Sequence, residues 1–282
     1  PEGTAGAIRA LCHSGAEAGA RVFYLGPMFR AERPQAGRRR QFHQLGVEML
    51  GPPSPEADAE CIALMRRLLE VWGLSDARLR LHTRGTAADQ PAVREGLRRR
   101  LEEVRDALCE DCRRRCDRQP LRVLDCKQPG CQQIIAGLPA LTAYLSEDSR
   151  GYLERVAALL NALKIEATVD GRLVRGLDYY EHTIWEATHP ALGAQDAIAG
   201  GGRYRIEADG RLVEGVGFAI GLERVVLALQ ARGVAVPAEP PPVVWLVSVG
   251  ERAVAENLVL AERLRSIGVR CGADWNGRSV KA

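Results

Sequence analysis

Five arginines stand within eleven positions, Arg30, Arg33, Arg38, Arg39 and Arg40, between an apolar run ending at Gly26-Pro27 and a second mixed run. Guanidinium forks match the oxygens of phosphates. A strand, a loop of fixed cations and a return strand would therefore make a hairpin that grips a polyanion such as a nucleoside triphosphate. On the return run Gln44 and Glu48 are an even number of residues apart, which sends both side chains to one face of a strand. Two polar groups on an otherwise apolar strand point to a small polar ligand beside the polyanion. The competing account is a solvated charge run on a surface hairpin.

Other chemistry-bearing clusters say less when read singly. Cys109-x-x-Cys112, with Cys126 and Cys131 downstream, has spacing that could supply a tetrahedral Zn²⁺ site, although four residues separate the second pair. Reduced cysteines in a helical segment, some buried as small hydrophobes, are the alternative. Glu2-Gly3-Thr4 reads as a turn, Gly200-Gly201-Gly202 as a glycine turn, and Tyr179-Tyr180 as core aromatics ahead of a strand. Glu223-Arg224 reads as a surface pair on a helix.

These residues need elements to position them. Residues 21–51 form the hairpin, and Pro52-Pro53-Ser54-Pro55 breaks the chain before a helix carrying Ile62, Met65, Leu68, Leu69 and Trp72. Alternation over 78–82 predicts a strand. Val93, Leu97, Leu101, Val104 and Leu108 predict one amphipathic helix, and Leu153, Val156, Leu159, Leu160 and Leu163 another beyond the cysteines. Strand signals return over 165–170 and 182–188, followed by the glycine run and the segment 215–230. After a proline-rich linker, 243–249 reads as a buried strand, 252–266 as a helix and 268–274 as the start of a second strand. The expected division is 1–84, a helical insertion over 85–163, 164–236, a linker over 237–242, and 243–282.

Composition sets outer limits. Of 282 residues 46% are apolar and 27% charged, as in soluble globular proteins, and the formal net charge is only +3. Lysine occurs only at 127, 164 and 281, so the arginine excess fits a GC-rich genome as readily as anion binding. No apolar stretch reaches the roughly 20 residues that cross a bilayer. Eight cysteines in a chain of this size do not resemble a secreted disulfide scaffold, and a reducing cytoplasm is expected. The chain begins at Pro1 rather than methionine, so further sequence is expected upstream.

The run GPMFRAERPQAGRRRQFHQLGVE from Gly26 to Glu48 resembles motif 2 of class II aminoacyl-tRNA synthetases, in the form of the histidyl-tRNA synthetase family. Four more segments are similar to the same family: Pro1–Ala5, Leu173–Tyr180, Ala199–Tyr204 and Gly215–Arg224. The resemblance implies an α+β fold, with a class II antiparallel sheet flanked by helices, a helical insertion domain and the start of an α/β anticodon-binding domain. It implies a ligase that activates L-histidine with ATP and Mg²⁺ and passes it to tRNA(His), working as a cytoplasmic homodimer. Its dimer-forming motif 1 and the rest of the anticodon-binding domain are expected outside this stretch.

Residue by residue, the resemblance implies that Arg30 and Arg175 hold the α-phosphate from opposite sides. Glu2 and Thr4 would hold the ammonium group of histidine and Gln44 its ammonium or carboxylate, while Glu48 and Tyr180 would read the two imidazole nitrogens, with Tyr179 also in the histidine-binding set. Arg38 and Arg224 would reach the γ-phosphate, with Phe42 and Arg224 on the two faces of adenine and Glu32 nearby or beside Mg²⁺. The glycine run is implied to pass beneath the amino acid, where side chains would collide with it. The family usually continues Arg-Tyr with Asp-Gly; Arg205-Ile206 stand here, so the conformation of 205–214 is left open. The rival within the fold is the non-catalytic, histidine-sensing regulatory subunit of ATP phosphoribosyltransferase.

Overall fold

The computed structural model describes all residues except 1–2, 16–18, 32–33, 35–38, 174–178, 194–195, 209, 235–240 and 276–282. Contacts divide the chain into two compact units, Pro1–Val234 and Ala235–Ala282. The first is built on seven strands: β1 (Arg21–Phe29), β2 (Gln41–Leu50), β3 (Arg78–Thr83), β4 (Ala167–Val169), β5 (Tyr180–Thr188), β6 (Ala197–Ala208) and β7 (Arg211–Gly221). They lie in the order β1-β2-β7-β6-β5-β3-β4, antiparallel except for the β3–β4 pair. This is the expected α+β class. On the edge strand β1 burial alternates with period two, leaving Phe23, Leu25 and Phe29 exposed.

Register decides which residues share a face. Glu48 lies opposite Gly217, Gly217 opposite Gly202, Gly202 opposite Ile184, and Ile184 opposite His82. Directly paired residues point the same way, so these five form one row across the sheet. Helix α1 (Gly3–His13) supplies Ile8 to the core on this face, beside Leu50, Tyr180, Ile184 and Tyr204. On the other face α2 (Pro55–Val71), α6 (Glu147–Ala162) and α7 (Leu222–Ala231) pack Ile62, Leu69, Val156 and Val225 against Trp185 and Phe218. Helix α2 starts where the proline run predicts. Ser54 caps it by accepting from the Ala57 amide at 3.2 Å, and Pro55 fills the first turn.

Between β3 and α6 lie α3 (Gln90–Glu103), α4 (Glu110–Arg118) and α5 (Pro129–Ala136), which gather Val93, Leu97, Leu101, Leu108, Val123 and Ile135 into a separate core. The single helix expected to run through Leu108 stops at Glu103. A 3₁₀ turn over Arg105–Ala107 follows, and Leu108 reaches the same core from extended backbone. Apolar spacing alone does not distinguish a continuous helix from one interrupted by such a turn. One carboxylate joins the two ends of this segment. Asp89 accepts from the Thr86 amide (2.8 Å), the Ser146 amide (2.8 Å) and the Ser149 hydroxyl (2.6 Å).

Two further expectations are resolved by the structure. Residues 205–208 and 211–214 continue the β6–β7 ladder from Arg205↔Glu214 to Ala208↔Arg211, and Gly210 takes a positive φ of 71°. In the second unit β8 (Val244–Leu246) and β9 (Cys271–Ala273) pair in parallel around α8 (Glu251–Ser266). The strand expected to be buried over 243–249 is three residues long, and Val243, Trp245, Val247 and Val249 around it are exposed. A parallel strand is buried only when both faces are covered, and the described residues of this unit supply one neighbouring strand and one helix.

Candidate active site

The hairpin pairs from Arg21↔Met49 to Phe29↔Gln41, and the Arg30 amide extends the ladder by donating to Arg40 O at 2.8 Å. That bond places the Arg30 side chain over the first buried residue of β2. Its guanidinium carbon lies 3.6 Å from the centre of the Phe42 ring. This cation–π contact holds the guanidinium against the return strand. An open cleft of 480 Å³ lies here, lined by Phe29, Arg30, Ala31, Arg40 and Gln41. Arg33, Arg38 and Glu32 lie outside the described residues.

Further along the same face of β2 the site becomes enclosed and polar. Glu48 is fully buried. A Cβ at Gly217 would stand 1.9 Å from Glu48 Oε2, so only glycine leaves room for this carboxylate on the neighbouring strand. Burial and then the charge of Glu48 push the ionisation of the Tyr204 phenol far above its ordinary range, so it remains a hydroxyl donor. Tyr179 lies 4.9 Å from Tyr180 and edge-on to Tyr204 at 6.3 Å. The amide oxygen of Gln44 is buried without a hydrogen-bond partner among the described residues. Thr4 is buried in the first turn of α1.

Arg30, Phe42, Gln44, Glu48 and Tyr180 thus stand on one side of the sheet, with Tyr179 beside Tyr180. Glu2 and Arg175 lie outside the described residues. Gly201 and Gly202 are required by the sheet itself. A Cβ at Gly201 would meet Gly217 O at 2.2 Å, and one at Gly202 would meet Thr183 O and the Tyr180 ring, each at 2.7 Å. The neighbouring strands and rings already exclude side chains there.

Three residues, Tyr204, Glu223 and Arg203, make contacts here that have no role in the sequence reading. Tyr204 sits in a quoted motif, yet its relation to Glu48 depends on sheet register. Glu223, in the first turn of α7, accepts from the His43 amide at 2.9 Å and faces its Nδ1 at 3.0 Å. Burial favours the neutral acid, but these bonds prevail and hold the Glu223 carboxyl below its usual range. Next to it Arg224 donates to Ala197 O at 2.9 Å, which ties the start of α7 to β6. Arg203 points to the opposite face of β6 and meets Asp58. Only the neighbour positions defined by pairing could have signalled these contacts. Elsewhere, within the core of the helical insertion, the thiols of Cys109, Cys112, Cys126 and Cys131 converge, all four Sγ atoms lying within 4.8 Å of one another.

A family model described as histidyl-tRNA synthetase matches residues 1–225. The histidine–tRNA ligase of Halothermothrix orenii is 43% identical over 288 residues, an alignment covering 100% of this chain and 69% of that protein. The apo S. aureus histidyl-tRNA synthetase structure superposes with a TM-score of 0.77 at 32% identity, covering 100% of this chain and 70% of that one. A Bacillus halodurans structure described as an ATP phosphoribosyltransferase regulatory subunit/histidyl-tRNA synthetase shares the fold, with a TM-score of 0.64 at 20% identity.

Proposed function

This chain belongs to the histidyl-tRNA synthetase family, and from that premise we propose that it activates L-histidine with ATP and transfers the histidyl group to tRNA(His). The observation that carries the reading is the buried Glu48 carboxylate beside the Tyr204 hydroxyl, on the face that also holds Gln44 and the Arg30–Phe42 stack. A buried acceptor with a hydroxyl next to it suits the N–H and ring nitrogen of an imidazole. A substrate without those nitrogens would leave buried polar groups unmatched.

In the first step a carboxylate oxygen of histidine attacks the α-phosphorus of ATP. A P–O bond forms and the bond to pyrophosphate breaks, giving histidyl-adenylate. No side chain needs to form a covalent bond, so catalysis consists of alignment and of stabilising negative charge on the α-phosphate. Arg30 supplies charge from the hairpin side, and Arg175 is assigned the other side. Arg38 and Arg224 are assigned to the γ-phosphate. Base stacking on Phe42 requires Arg30 to share or vacate that ring face. Thr4 and Glu2 hold the ammonium group and Gln44 the ammonium or carboxylate. Bound Mg²⁺ would supply charge neutralisation of the triphosphate, and Glu32 is assigned to the adenine or to the neighbourhood of that ion. In the second step a ribose hydroxyl at the tRNA terminus attacks the acyl carbon and AMP leaves.

The same reading includes a homodimer in the cytoplasm; among the described residues no helix is long and apolar enough to cross a membrane. The domain division proposed is catalytic residues 1–84 and 164–236, a helical insertion over 85–163, a linker over 237–242, and the start of an anticodon-binding domain over 243–282. The presence of Arg30, Arg175 and Arg224, together with the insertion, favours a ligase over a regulatory subunit. The test is histidine-dependent ATP–pyrophosphate exchange with wild type and Glu48→Gln. Loss of one charged hydrogen bond should raise the KM for histidine about 10–100-fold and leave the KM for ATP within about twofold. Exchange that ignores histidine, or an unchanged histidine KM in Glu48→Gln, would overturn the reading.

A further inference from the structure

We propose that the helical insertion carries a structural zinc ion bound by the four thiolates of Cys109, Cys112, Cys126 and Cys131. Their Sγ atoms all lie within 4.8 Å of one another, and Cys109 and Cys126 are 3.9 Å apart. Four sulfurs at Zn–S bonds of about 2.3 Å in a tetrahedron stand roughly 3.8 Å from each other. The cluster therefore needs to contract by less than about 1 Å to close on a metal. It unites two sequence pairs, and each pair brackets the start of a short helix: Cys109 caps α4 and Cys112 lies in its first turn, while Cys131 lies in the first turn of α5.

The surroundings favour thiolates. The Cys109 amide donates to Cys131 Sγ at 3.2 Å, a bond that stabilises charge on the sulfur. The positive ends of two helix dipoles meet at the cluster, which has the same effect. The fifth cysteine of the segment is excluded by geometry. Cys116 lies one turn along α4, where its Sγ donates to Cys112 O at 3.2 Å.

A metal would also explain how this segment holds together. Helix α4 has nine residues, and Cys112 and Cys116 are the only ones buried. Helix α5 has eight and buries only Cys131 and Ile135. Helices this short are marginal without tertiary support, and neither brings much apolar surface to the core. Zinc would staple the junction after α3, the start of α4, the turn before α5 and α5 itself. Such binding energy counts directly toward folding.

The experiment is metal analysis of the whole protein purified under reducing conditions without chelators. About one zinc per chain is expected, falling below about a fifth in Cys109→Ser and Cys126→Ser and staying near one in Cys271→Ser. Should a serine variant fail to fold, wild-type protein stripped by chelator and titrated with Co²⁺ gives an independent readout. It should show sulfur-to-cobalt charge transfer and the intense visible bands of tetrahedral tetrathiolate Co²⁺. Zinc below about a tenth of an equivalent with no such Co²⁺ spectrum would overturn the proposal, as would a Cys109–Cys126 disulfide in freshly isolated protein. Both readouts are independent of pyrophosphate exchange, so this proposal and the synthetase reading fail separately.

Discussion

Arg203 and Asp58 form a buried ion pair across 145 positions of sequence, with side-chain exposures of 2% and 0%. Arg203 Nε donates to Asp58 Oδ1 at 2.8 Å, and Nη1 donates to the carbonyls of Gly51 (3.2 Å) and Pro52 (3.1 Å). The Tyr152 hydroxyl donates to the other carboxylate oxygen at 3.0 Å. One guanidinium on β6 thereby fastens the turn from β2 into α2, and with it the end of the strand that carries Glu48. Removing one partner strands a charge in the core. Arg203→Met should cost about 3–5 kcal/mol, whereas Arg203→Met combined with Asp58→Leu should recover much of the loss. Urea midpoints of the two single variants and the double variant test this, and absence of coupling would refute it.

Tyr204 is expected to tune the pocket from beside Glu48. Tyr204→Phe removes one hydroxyl and leaves the ring packing in place. The KM for histidine should rise about tenfold while the melting temperature moves little. A kcat loss without a KM change would place Tyr204 outside histidine recognition.

His82 ends the row that starts at Glu48, and neither of its buried ring nitrogens has a hydrogen-bond partner among the described residues. Burial pushes its pKa down to about 4, and Asp170 pulls weakly the other way. An unfolded imidazole titrates near 6.5, so between these values the unfolded chain takes up a proton that the folded chain refuses. The folded state is therefore fully favoured above pH 6.5 and loses stability as the pH falls toward 4. The loss from this group should reach about 2 kcal/mol by pH 5. His82→Asn should flatten that part of the profile, measured as urea midpoints between pH 7 and 5. An equal slope in both proteins would contradict the assignment.

Asp89 closes the helical insertion at its base, and its bonds hold the carboxyl well below the usual carboxylate range despite the opposing effect of burial. A depressed carboxylate stabilises the fold above its unfolded pKa and loses that effect only in strong acid. Asp89→Ala leaves the Ser146 amide and Ser149 hydroxyl without this acceptor. The expected cost is about 2–3 kcal/mol. Hydrogen exchange over 90–145 should accelerate first, because these bonds join the two ends of the segment. Unchanged protection there would rule out the latch.

Much of the fold was legible in the residues. The hairpin, helix α2 and strands β3 and β5 announce themselves by period and by proline or glycine boundaries, because burial of one face imposes that spacing locally. The even interval from Gln44 to Glu48 put both on one face, as found. Errors came where a local pattern admits two structures. The 93–108 periodicity hid a turn after Glu103, and the apolar run at 243–249 met too little cover to be buried.

By itself the sequence determined which residues could do chemistry: the cations of the hairpin, the two polar groups on its return strand, and four cysteines in two pairs. Tertiary structure alone decided which of them meet. Sheet register put Gly217 and Tyr204 beside Glu48, sent Arg203 to the opposite face toward Asp58, and brought His43 to Glu223 across 180 positions. Such contacts leave no periodic trace, since the energy that selects them depends on strands distant in the chain coming into one alignment.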